Sequence, residues 1–185
     1  MEVINLFPTR IAFWKDCNFD LADLEKKCRL FQKKTPNSNH SNVNGYQGHG
    51  FMYPDLIEFI KKNIPTHKTK KITTFKFYAW VNINGYGHFN KIHNHNPHHG
   101  NMLSGVLYVK TPKNCGKIKF YDPRPNIDTA PDMEYYEDMN NQYEITVNPN
   151  LLLLFPAWLQ HDVGINESNE ERISISFNIF EVEYK

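Results

Sequence analysis

Three histidines, His93, His95 and His161, have the types and spacing of a metal-binding site. Side chains two residues apart point to the same side of an extended segment, so His93 and His95 can reach one ion together. His161 can complete a three-ligand site from a distant strand and leave other positions on the metal open. This arrangement suits non-heme iron and oxygen chemistry, and it predicts an oxygenase.

The region around the His93–His95 pair is rich in histidine, which leaves a simpler interpretation open. Five histidines lie between residues 88 and 99, and a solvated histidine-rich loop would have the same composition. Two features favour the metal site: the pair lies between strand-like segments, and His161 follows an apolar strand and a Phe-Pro turn. His98 and His99 follow a proline and are interpreted as loop residues outside the ligand set.

A second chemical signal is Arg172, which opens the segment Arg-Ile-Ser-Ile-Ser-Phe. In a strand, Arg172, Ser174 and Ser176 share one face and alternate with apolar residues on the other. A surface salt bridge beside Glu170 and Glu171 is the alternative role for this arginine. If the polar face lines a barrel, a dicarboxylate cosubstrate would fit, because a guanidinium can bind its far carboxylate through two hydrogen bonds while the other end chelates iron.

Two helices are predicted in the first third of the chain. The first has apolar residues at helical spacing after a candidate N-cap at Asn18 or Asp20: Leu21, Leu24, Cys28 and Phe31. The second covers Tyr53–Ile64, with Pro54 in its first turn. The segment Thr35–Gly50 between them is rich in Asn, Ser, Gly and His, and it is interpreted as a loop.

The pattern changes to strands from about residue 72 onward. Six segments rich in β-branched, aromatic or alternating apolar residues are predicted strands: Ile72–Ile83, Leu103–Lys110, Lys117–Tyr121, Tyr143–Val147, Leu151–Phe155 and Arg172–Glu183. The proline-containing segment Pro123–Asn141 is interpreted as a long loop. Short strands separated by Gly, Pro and Asn turns predict a mainly β fold of the sandwich or jelly-roll type.

Length and composition indicate one domain over residues 1–185. We expect a helical N-terminal part over about residues 1–70 and a jelly-roll core over about residues 72–183. A net charge of +1 gives no electrostatic footprint for nucleic acid or a membrane surface, and no apolar run is long enough to span a bilayer. The start lacks the apolar stretch of a signal peptide, and three scattered cysteines favour a reduced, cytoplasmic setting.

Several motifs occur together in one order, which makes their combination specific. The order is His93-x-His95, Leu103-Ser-Gly-Val-Leu-Tyr-Val109, Gly116-x-Ile-x-Phe120-x-Asp-Pro-Arg124, Leu154-Phe-Pro-x-Trp158-x-x-His161 and Arg172-Ile-Ser-Ile-Ser-Phe-Asn178. Over about residues 72–180 this order resembles the 2-oxoglutarate/Fe(II)-dependent dioxygenases. It is most similar to a group of largely uncharacterised microbial and phage proteins related to prolyl hydroxylases. The upstream pieces Leu6-Phe-Pro8 and Ser41-Asn-x-x-Gly-Tyr-Gln47 also resemble that group.

The resemblance implies a double-stranded β-helix, the cupin-like jelly roll of these enzymes, with the N-terminal helices packed on it. It implies Fe(II), 2-oxoglutarate and O2 as cofactor and cosubstrates, with a protein, peptide or amino-acid side chain as the substrate to be hydroxylated. It also implies a location in the bacterial cytoplasm, or in the host cytoplasm if the protein is phage-encoded. The oligomeric state stays open.

The resemblance also implies roles for particular residues. His93 and His161 would be metal ligands, and Arg172 would bind the far carboxylate of 2-oxoglutarate, helped by Ser174 or Tyr108. Asn82 and Asn90, on the strand and loop that lead to His93, would hydrogen-bond cosubstrate or substrate. Each role is carried over from the position of the residue in the shared motifs.

One position departs from the pattern of the superfamily. Most members have an aspartate or glutamate where this chain has His95, giving two histidines and one carboxylate. Three possibilities follow: His95 is the third ligand, a carboxylate such as Asp122 or Asp162 replaces it, or His95 lies outside the ligand set. The first is preferred because the spacing of His95 from His93 is that of the usual carboxylate.

The three-histidine pattern also keeps two other functions open. One is a three-histidine cupin dioxygenase that oxidises its substrate without 2-oxoglutarate, which would leave Arg172 and Ser174 without a role. The other is a non-catalytic jelly-roll binding module with a degenerate metal site.

Overall fold

The computed structural model describes residues 7–38, 40–64, 72–95, 100–124 and 141–184. Two helices are present in these residues, α1 (Leu21–Lys34) and α2 (Pro54–Asn63). The strands are β1 (Ala12–Trp14), β2 (Asn42–Val43), β3 (Tyr46–His49), β4 (Ile72–Asn84), β5 (Phe89–His93), β6 (Asn101–Lys110), β7 (Ile118–Tyr121), β8 (Gln142–Ile145), β9 (Leu152–Pro156), β10 (His161–Val163) and β11 (Arg172–Tyr184).

The strands form two antiparallel sheets. The large sheet has the order β1-β9-β6-β11-β4-β3, and the small sheet has the order β2-β5-β10-β7-β8. Side chains from both sheets, among them Val106 and Phe155 of the large sheet and Ile118 and Phe120 of the small one, form a buried apolar cluster between them. The predicted mainly β, jelly-roll architecture is confirmed.

Strand β11 lies in the middle of the large sheet and pairs with β4 and β6. Its apolar residues Ile173, Ile175 and Phe177 are fully buried on the face that the helices cover. Full burial of each such side chain contributes about 1.5–3 kcal/mol. The alternate residues Arg172, Ser174 and Ser176 face the space between the sheets. The predicted division of this strand into a polar and an apolar face is therefore confirmed.

Both predicted helices are present and pack on the large sheet. Helix α1 begins after Asp20, whose Oδ1 accepts a hydrogen bond from the backbone N–H of Asp23 at 3.0 Å. Helix α2 has Pro54 at its first position, where the missing N–H is not needed. Buried residues of the two helices, such as Leu24 and Leu56, join the apolar cluster on the outer face of the sheet. Within the described segments, neither helix is long and apolar enough to cross a membrane.

The prediction of a loop over Thr35–Gly50 is wrong, because this segment contains β2 and β3. Strand β3 extends the large sheet by pairing with β4, with Gly48 opposite Val81. Several polar residues of the segment form local hydrogen bonds; for example, the N–H of Gln47 donates to Asn37 Oδ1 at 2.8 Å. A polar composition therefore does not exclude strands where tertiary partners supply the hydrogen bonds. Most of the predicted loop at Pro123–Asn141 lies outside the described residues.

Candidate metal and cosubstrate site

The predicted histidines come together between the two sheets. One ring nitrogen from each of His93, His95 and His161 lies within 4.8 Å of the others. The Nε2 atoms of His95 and His161 are 3.3 Å apart, and the ring centroids of His93 and His161 are 4.4 Å apart. Nitrogen atoms at this separation can share one metal ion. His98 and His99, interpreted as loop residues, lie outside the described part of the chain.

Two adjacent strands of the small sheet position this cluster. His93 ends β5 and lies directly opposite His161, which begins β10. His93 Nδ1 is 2.7 Å from the carbonyl oxygen of Lys91, and His161 Nδ1 is 2.9 Å from that of Leu159. A carbonyl can only accept, so each Nδ1 carries the hydrogen and donates it. Each Nε2 therefore keeps its lone pair for a metal.

His95 reaches the same point from just beyond the end of β5. Its backbone N–H donates to the carbonyl oxygen of Ala157 at 2.9 Å, which ties this segment to the end of β9. The Trp80 ring lies against the His95 ring, with centroids 5.4 Å apart. The side chain of His95 is therefore held by the tryptophan on one side and by the other two histidines on the other.

Burial keeps all three imidazoles neutral. Desolvation, together with the smaller effect of the positive charge that His93 would carry, lowers the pKa of His95 to about 3. Burial also lowers the pKa of His93 and holds the pKa of His161 well below its usual value. The neutral ring is the form that binds a metal.

The two carboxylates considered as replacements for His95 are engaged elsewhere. Asp162 Oδ2 accepts a hydrogen bond from the Tyr121 hydroxyl at 2.5 Å. Asp122 pairs with Arg124, with Nε to Oδ1 at 2.9 Å. The cluster with metal-ligand geometry in the described residues thus consists of histidines only.

Arg172 is buried in the same space, with 2% of its surface exposed. Its Nη1 donates to the carbonyl oxygens of Cys115 and Gly164, the second at 3.2 Å. The alternative of a surface salt bridge is wrong, because Glu170 pairs with Lys110 and Glu171 with Arg29. Among the described residues, the buried guanidinium has no carboxylate partner, and burial lowers its pKa.

Gly116 leaves room for the Arg172 side chain to reach the carbonyl oxygen of Gly164. Its φ of +85° lies in the left-handed region, which favours glycine. A Cβ on Gly116 would lie 2.2 Å from the carbonyl oxygen of Gly164 and 2.9 Å from Arg172 Nη1. The only sequence signal for this requirement is the glycine that opens the Gly116-x-Ile-x-Phe120 motif.

The histidines and Arg172 line one cavity between the two sheets. All four other residues predicted to bind cosubstrate lie on its wall: Asn82, Asn90, Tyr108 and Ser174. The Tyr108 hydroxyl is buried and has no hydrogen-bond partner within the described segments, and the same is true of Asn82 Oδ1. Burial raises the pKa of Tyr108, so its hydroxyl keeps its hydrogen.

Asn90 differs from these residues, because both ends of its side-chain amide are engaged within the protein. Its Oδ1 accepts from Asn84 and its Nδ2 donates to Ser41.

The other polar groups of the cavity fit a dicarboxylate. The buried Arg172 cation and the unpaired Tyr108 hydroxyl lie in the same cavity as the three neutral histidines. An unpaired buried donor costs about 1–3 kcal/mol, so a ligand that accepts from it removes a penalty of that size.

The sequence family described as “Putative 2OG-Fe(II) oxygenase” matches residues 78–178, which are more than half of the chain. The chain belongs to this family. The predicted resemblance is therefore confirmed, and the match covers all five core motifs. Membership implies Fe(II), 2-oxoglutarate and O2 as the groups that the enzyme uses.

Solved structures with the same fold include prolyl hydroxylases from three sources. A Pseudomonas putida prolyl-4-hydroxylase has a TM-score of 0.62 at 12% identity, covering 93% of this chain and 92% of that one. A Trichoplax adhaerens prolyl hydroxylase, in complex with a hypoxia inducible factor peptide fragment, has a TM-score of 0.59 at 16% identity, covering 92% and 83%. A viral collagen prolyl hydroxylase from Paramecium Bursaria Chlorella virus-1 has a TM-score of 0.55 at 15% identity, covering 91% and 94%.

These identities are low, so the neighbours establish the fold of the chain and not its substrate. No curated protein matches the sequence significantly. The chemistry of this chain must therefore be argued from its own cavity.

Proposed function

We propose that this protein is an Fe(II)/2-oxoglutarate-dependent dioxygenase that hydroxylates a C–H bond of its substrate. The observation that carries the proposal is the buried Arg172 guanidinium, which lacks a carboxylate partner in the described residues and lines the same cavity as the histidine cluster. A charge this deeply buried is costly unless it is paired. The far carboxylate of 2-oxoglutarate would supply the partner.

In this proposal, His93, His95 and His161 would hold Fe(II) through their Nε2 atoms. The Nδ1 hydrogens of His93 and His161 are bound to backbone carbonyls, which fixes the ring orientation before any metal arrives. Three neutral ligands leave the full charge of the ion within the site, whereas the usual carboxylate would offset part of it. An anionic chelating cosubstrate therefore gains more from this metal centre.

Three groups would hold the far carboxylate at the other end of the cavity. Arg172 offers its Nε and Nη2 hydrogens, because both of its hydrogen bonds within the described residues come from Nη1. Tyr108 offers a hydroxyl that has no other acceptor among the described residues, and Ser174 lies beside both on the paired strands β6 and β11. Each hydrogen bond to a charged group contributes about 1.5–3 kcal/mol.

When bound, Fe(II), 2-oxoglutarate and O2 supply the oxidation, in which 2-oxoglutarate loses CO2 to become succinate and the substrate carbon gains a hydroxyl. The chain orients these groups and excludes water from them. Apolar side chains from both sheets, Ile118, Phe155 and Val163, form the dry part of the cavity wall.

A protein, peptide or amino-acid side chain is the proposed substrate class. Support for it comes from the fold neighbours, three of which are prolyl hydroxylases, one of them in complex with a peptide fragment. The same fold also occurs in a carbocyclase, so the substrate has to be determined by assay. A three-histidine dioxygenase that does not use 2-oxoglutarate would leave the buried Arg172 without a carboxylate partner.

The test measures binding and turnover separately. Calorimetric titration of the Co(II)-loaded protein should show one 2-oxoglutarate per chain. The Fe(II)-loaded protein, given a panel of peptides and amino acids in air, should form succinate in step with O2 uptake. Failure to bind 2-oxoglutarate, or O2 uptake without succinate across the panel, would contradict the proposal.

A further inference from the structure

The segment Ser41–Gln47 resembles the family in sequence, but the metal ligands and the carboxylate-binding groups all lie outside it. It forms β2, a tight turn and the start of β3. The turn closes where the backbone N–H of Gly45 donates to Asn42 Oδ1 at 2.9 Å. A Cβ on Gly45 would lie 2.4 Å from that oxygen, so a larger residue would displace the Asn42 side chain. The conformation of the segment therefore depends on contact between these two residues.

A chain of side-chain amides leads from this turn to the cavity. Asn42 Nδ2 donates to Asn84 Oδ1 at 3.2 Å, and Asn84 Nδ2 donates to Asn90 Oδ1 at 3.4 Å. Asn90 Nδ2 then donates to Ser41 Oγ at 3.3 Å. All three asparagines are buried. This series of hydrogen bonds crosses between the sheets twice, because Asn84 belongs to the large sheet whereas Asn42 and Asn90 belong to the small one.

The backbone fixes the direction of this chain. The N–H of Gly45 can only donate, so it must face the oxygen of the Asn42 amide. The carbonyl of Tyr46 can only accept, and Asn42 Nδ2 donates to it at 3.3 Å. Because Asn42 Nδ2 donates, the atom of Asn84 that faces it must be Oδ1, which leaves Asn84 Nδ2 to donate to Asn90 Oδ1. Asn90 Nδ2 is then the atom that faces Ser41. Ser41 Oγ, at the end, is thus obliged to accept.

A hydroxyl that accepts from Asn90 still has its own hydrogen to donate. Ser41 lines the cavity, and within the described segments its hydroxyl hydrogen has no acceptor. Two hydrogen bonds to the backbone also link the serine to His93, one of the predicted metal ligands. The Ser41 carbonyl oxygen accepts from the N–H of Lys91 at 2.9 Å, and the Lys91 carbonyl oxygen in turn accepts from His93 Nδ1 at 2.7 Å.

We infer that Ser41 is a further ligand-binding residue, whose hydroxyl donates to an oxygen of the 2-oxo acid end of the cosubstrate. This inference rests on the proposed function. It gives the Ser41–Gln47 segment a role. Gly45 orients the Asn42 amide, and the hydrogen bonds through Asn84 and Asn90 make the Ser41 hydroxyl an acceptor, so its hydrogen is available to a bound anion. Cooperative polarisation along such a chain strengthens the terminal donor.

The experiment compares three serine variants of the full chain loaded with Co(II). Ser41→Ala removes the donor, Ser41→Thr keeps a hydroxyl, and Ser38→Ala removes a nearby hydroxyl that donates to Gln47 and does not line the cavity. Calorimetry measures the dissociation constants of 2-oxoglutarate and of pyruvate, which lacks the far carboxylate. Co(II) affinity and the thermal unfolding midpoint are measured for each variant to establish that the metal site and fold are intact.

Ser41→Ala should weaken both ligands by about tenfold, because both present the same 2-oxo acid end. Ser41→Thr should stay within about twofold of the wild type, and Ser38→Ala should match it. Unchanged affinity of Ser41→Ala for both ligands would overturn the inference. A loss confined to 2-oxoglutarate would overturn it too, because the contact would then lie at the Arg172 end. Failure of the wild type to bind 2-oxoglutarate would instead refute the proposed function.

Discussion

The two ends of the cavity differ in how completely their polar groups are satisfied. At the metal end, on the small sheet, the Nδ1 atoms of His93 and His161 are bound to backbone carbonyls close in sequence. At the other end, on the large sheet, Arg172 lacks a carboxylate and the Tyr108 hydroxyl lacks any partner in the described residues. The rings of His93 and His161 are thus oriented by the chain itself, whereas the Arg172 end requires a ligand to complete it.

Mutations at the two ends should therefore have different effects on the binding of metal and of 2-oxoglutarate. Changes at the metal end should remove metal and cosubstrate together, since 2-oxoglutarate is expected to chelate the ion. Changes at the Arg172 end should weaken the cosubstrate and leave the metal in place.

His161→Ala should abolish metal binding at micromolar concentrations, because it removes the most buried of the three imidazoles. Binding of 2-oxoglutarate should disappear with it. Metal content after dialysis and calorimetry with Co(II) measure both effects. His40→Ala changes an exposed histidine outside the cluster and serves as the control. Retention of stoichiometric Co(II) by His161→Ala would refute the assigned ligand set.

Arg172→Lys should weaken 2-oxoglutarate binding by about a hundredfold and leave Co(II) affinity unchanged. An ammonium keeps the charge but cannot form the paired hydrogen bonds of a guanidinium. Pyruvate, which lacks the far carboxylate, should bind wild type and variant equally. Equal losses for 2-oxoglutarate and pyruvate would show that Arg172 does not contact the far carboxylate.

Lowering the pH should destabilise the metal-free protein. Burial lowers the pKa of all three site histidines in the folded state, and that of His95 falls from 6.5 to about 3. As the pH falls through 6.5, the unfolded chain therefore takes up protons that the folded chain does not, and stability decreases. At pH 5 this costs about 2 kcal/mol for His95 alone.

Urea unfolding at pH 7.5 and pH 5 measures this effect. His95→Gln, which removes a titrating group from the cluster, should lose less stability over the same interval than the wild type. An equal loss in the two proteins would show that His95 is not held neutral by burial.

Tyr108→Phe should weaken the binding of 2-oxoglutarate less than Arg172→Lys does, and it should not reduce the stability of the metal-free protein. Loss of one hydrogen bond to a carboxylate should weaken 2-oxoglutarate binding by about tenfold. The metal-free protein should keep or gain stability, because the deleted hydroxyl is buried without a partner in the described residues. Calorimetry and urea unfolding give the two values. A large loss of stability would mean that the hydroxyl has a structural partner.

The sequence predicted those features that follow from alternation and spacing. The two faces of β11, the two helices and the His93–His95 pair all depend on residues close in sequence, and the structure places them as expected. The burial of Arg172 could be predicted only as one of two possibilities, since its acidic neighbours Glu170 and Glu171 suggested a surface role.

Features that depend on distant partners were missed. Strands β2 and β3 are polar and very short, and they exist because β4 and β5 supply their hydrogen bonds. The docking of Arg172 on the carbonyls of Cys115 and Gly164 joins three separate segments, and no local pattern encodes it. The role proposed for Ser41 likewise depends on a chain of contacts between residues far apart in sequence.

The most direct test of the central claim is a crystal structure of the protein with metal and 2-oxoglutarate under anaerobic conditions. We predict the ion on Nε2 of His93, His95 and His161, with the far carboxylate bound by the Arg172 guanidinium and the Tyr108 hydroxyl. Metal coordination by Asp122 or Asp162 instead of His95, or a 2-oxoglutarate molecule bound away from Arg172, would contradict the account.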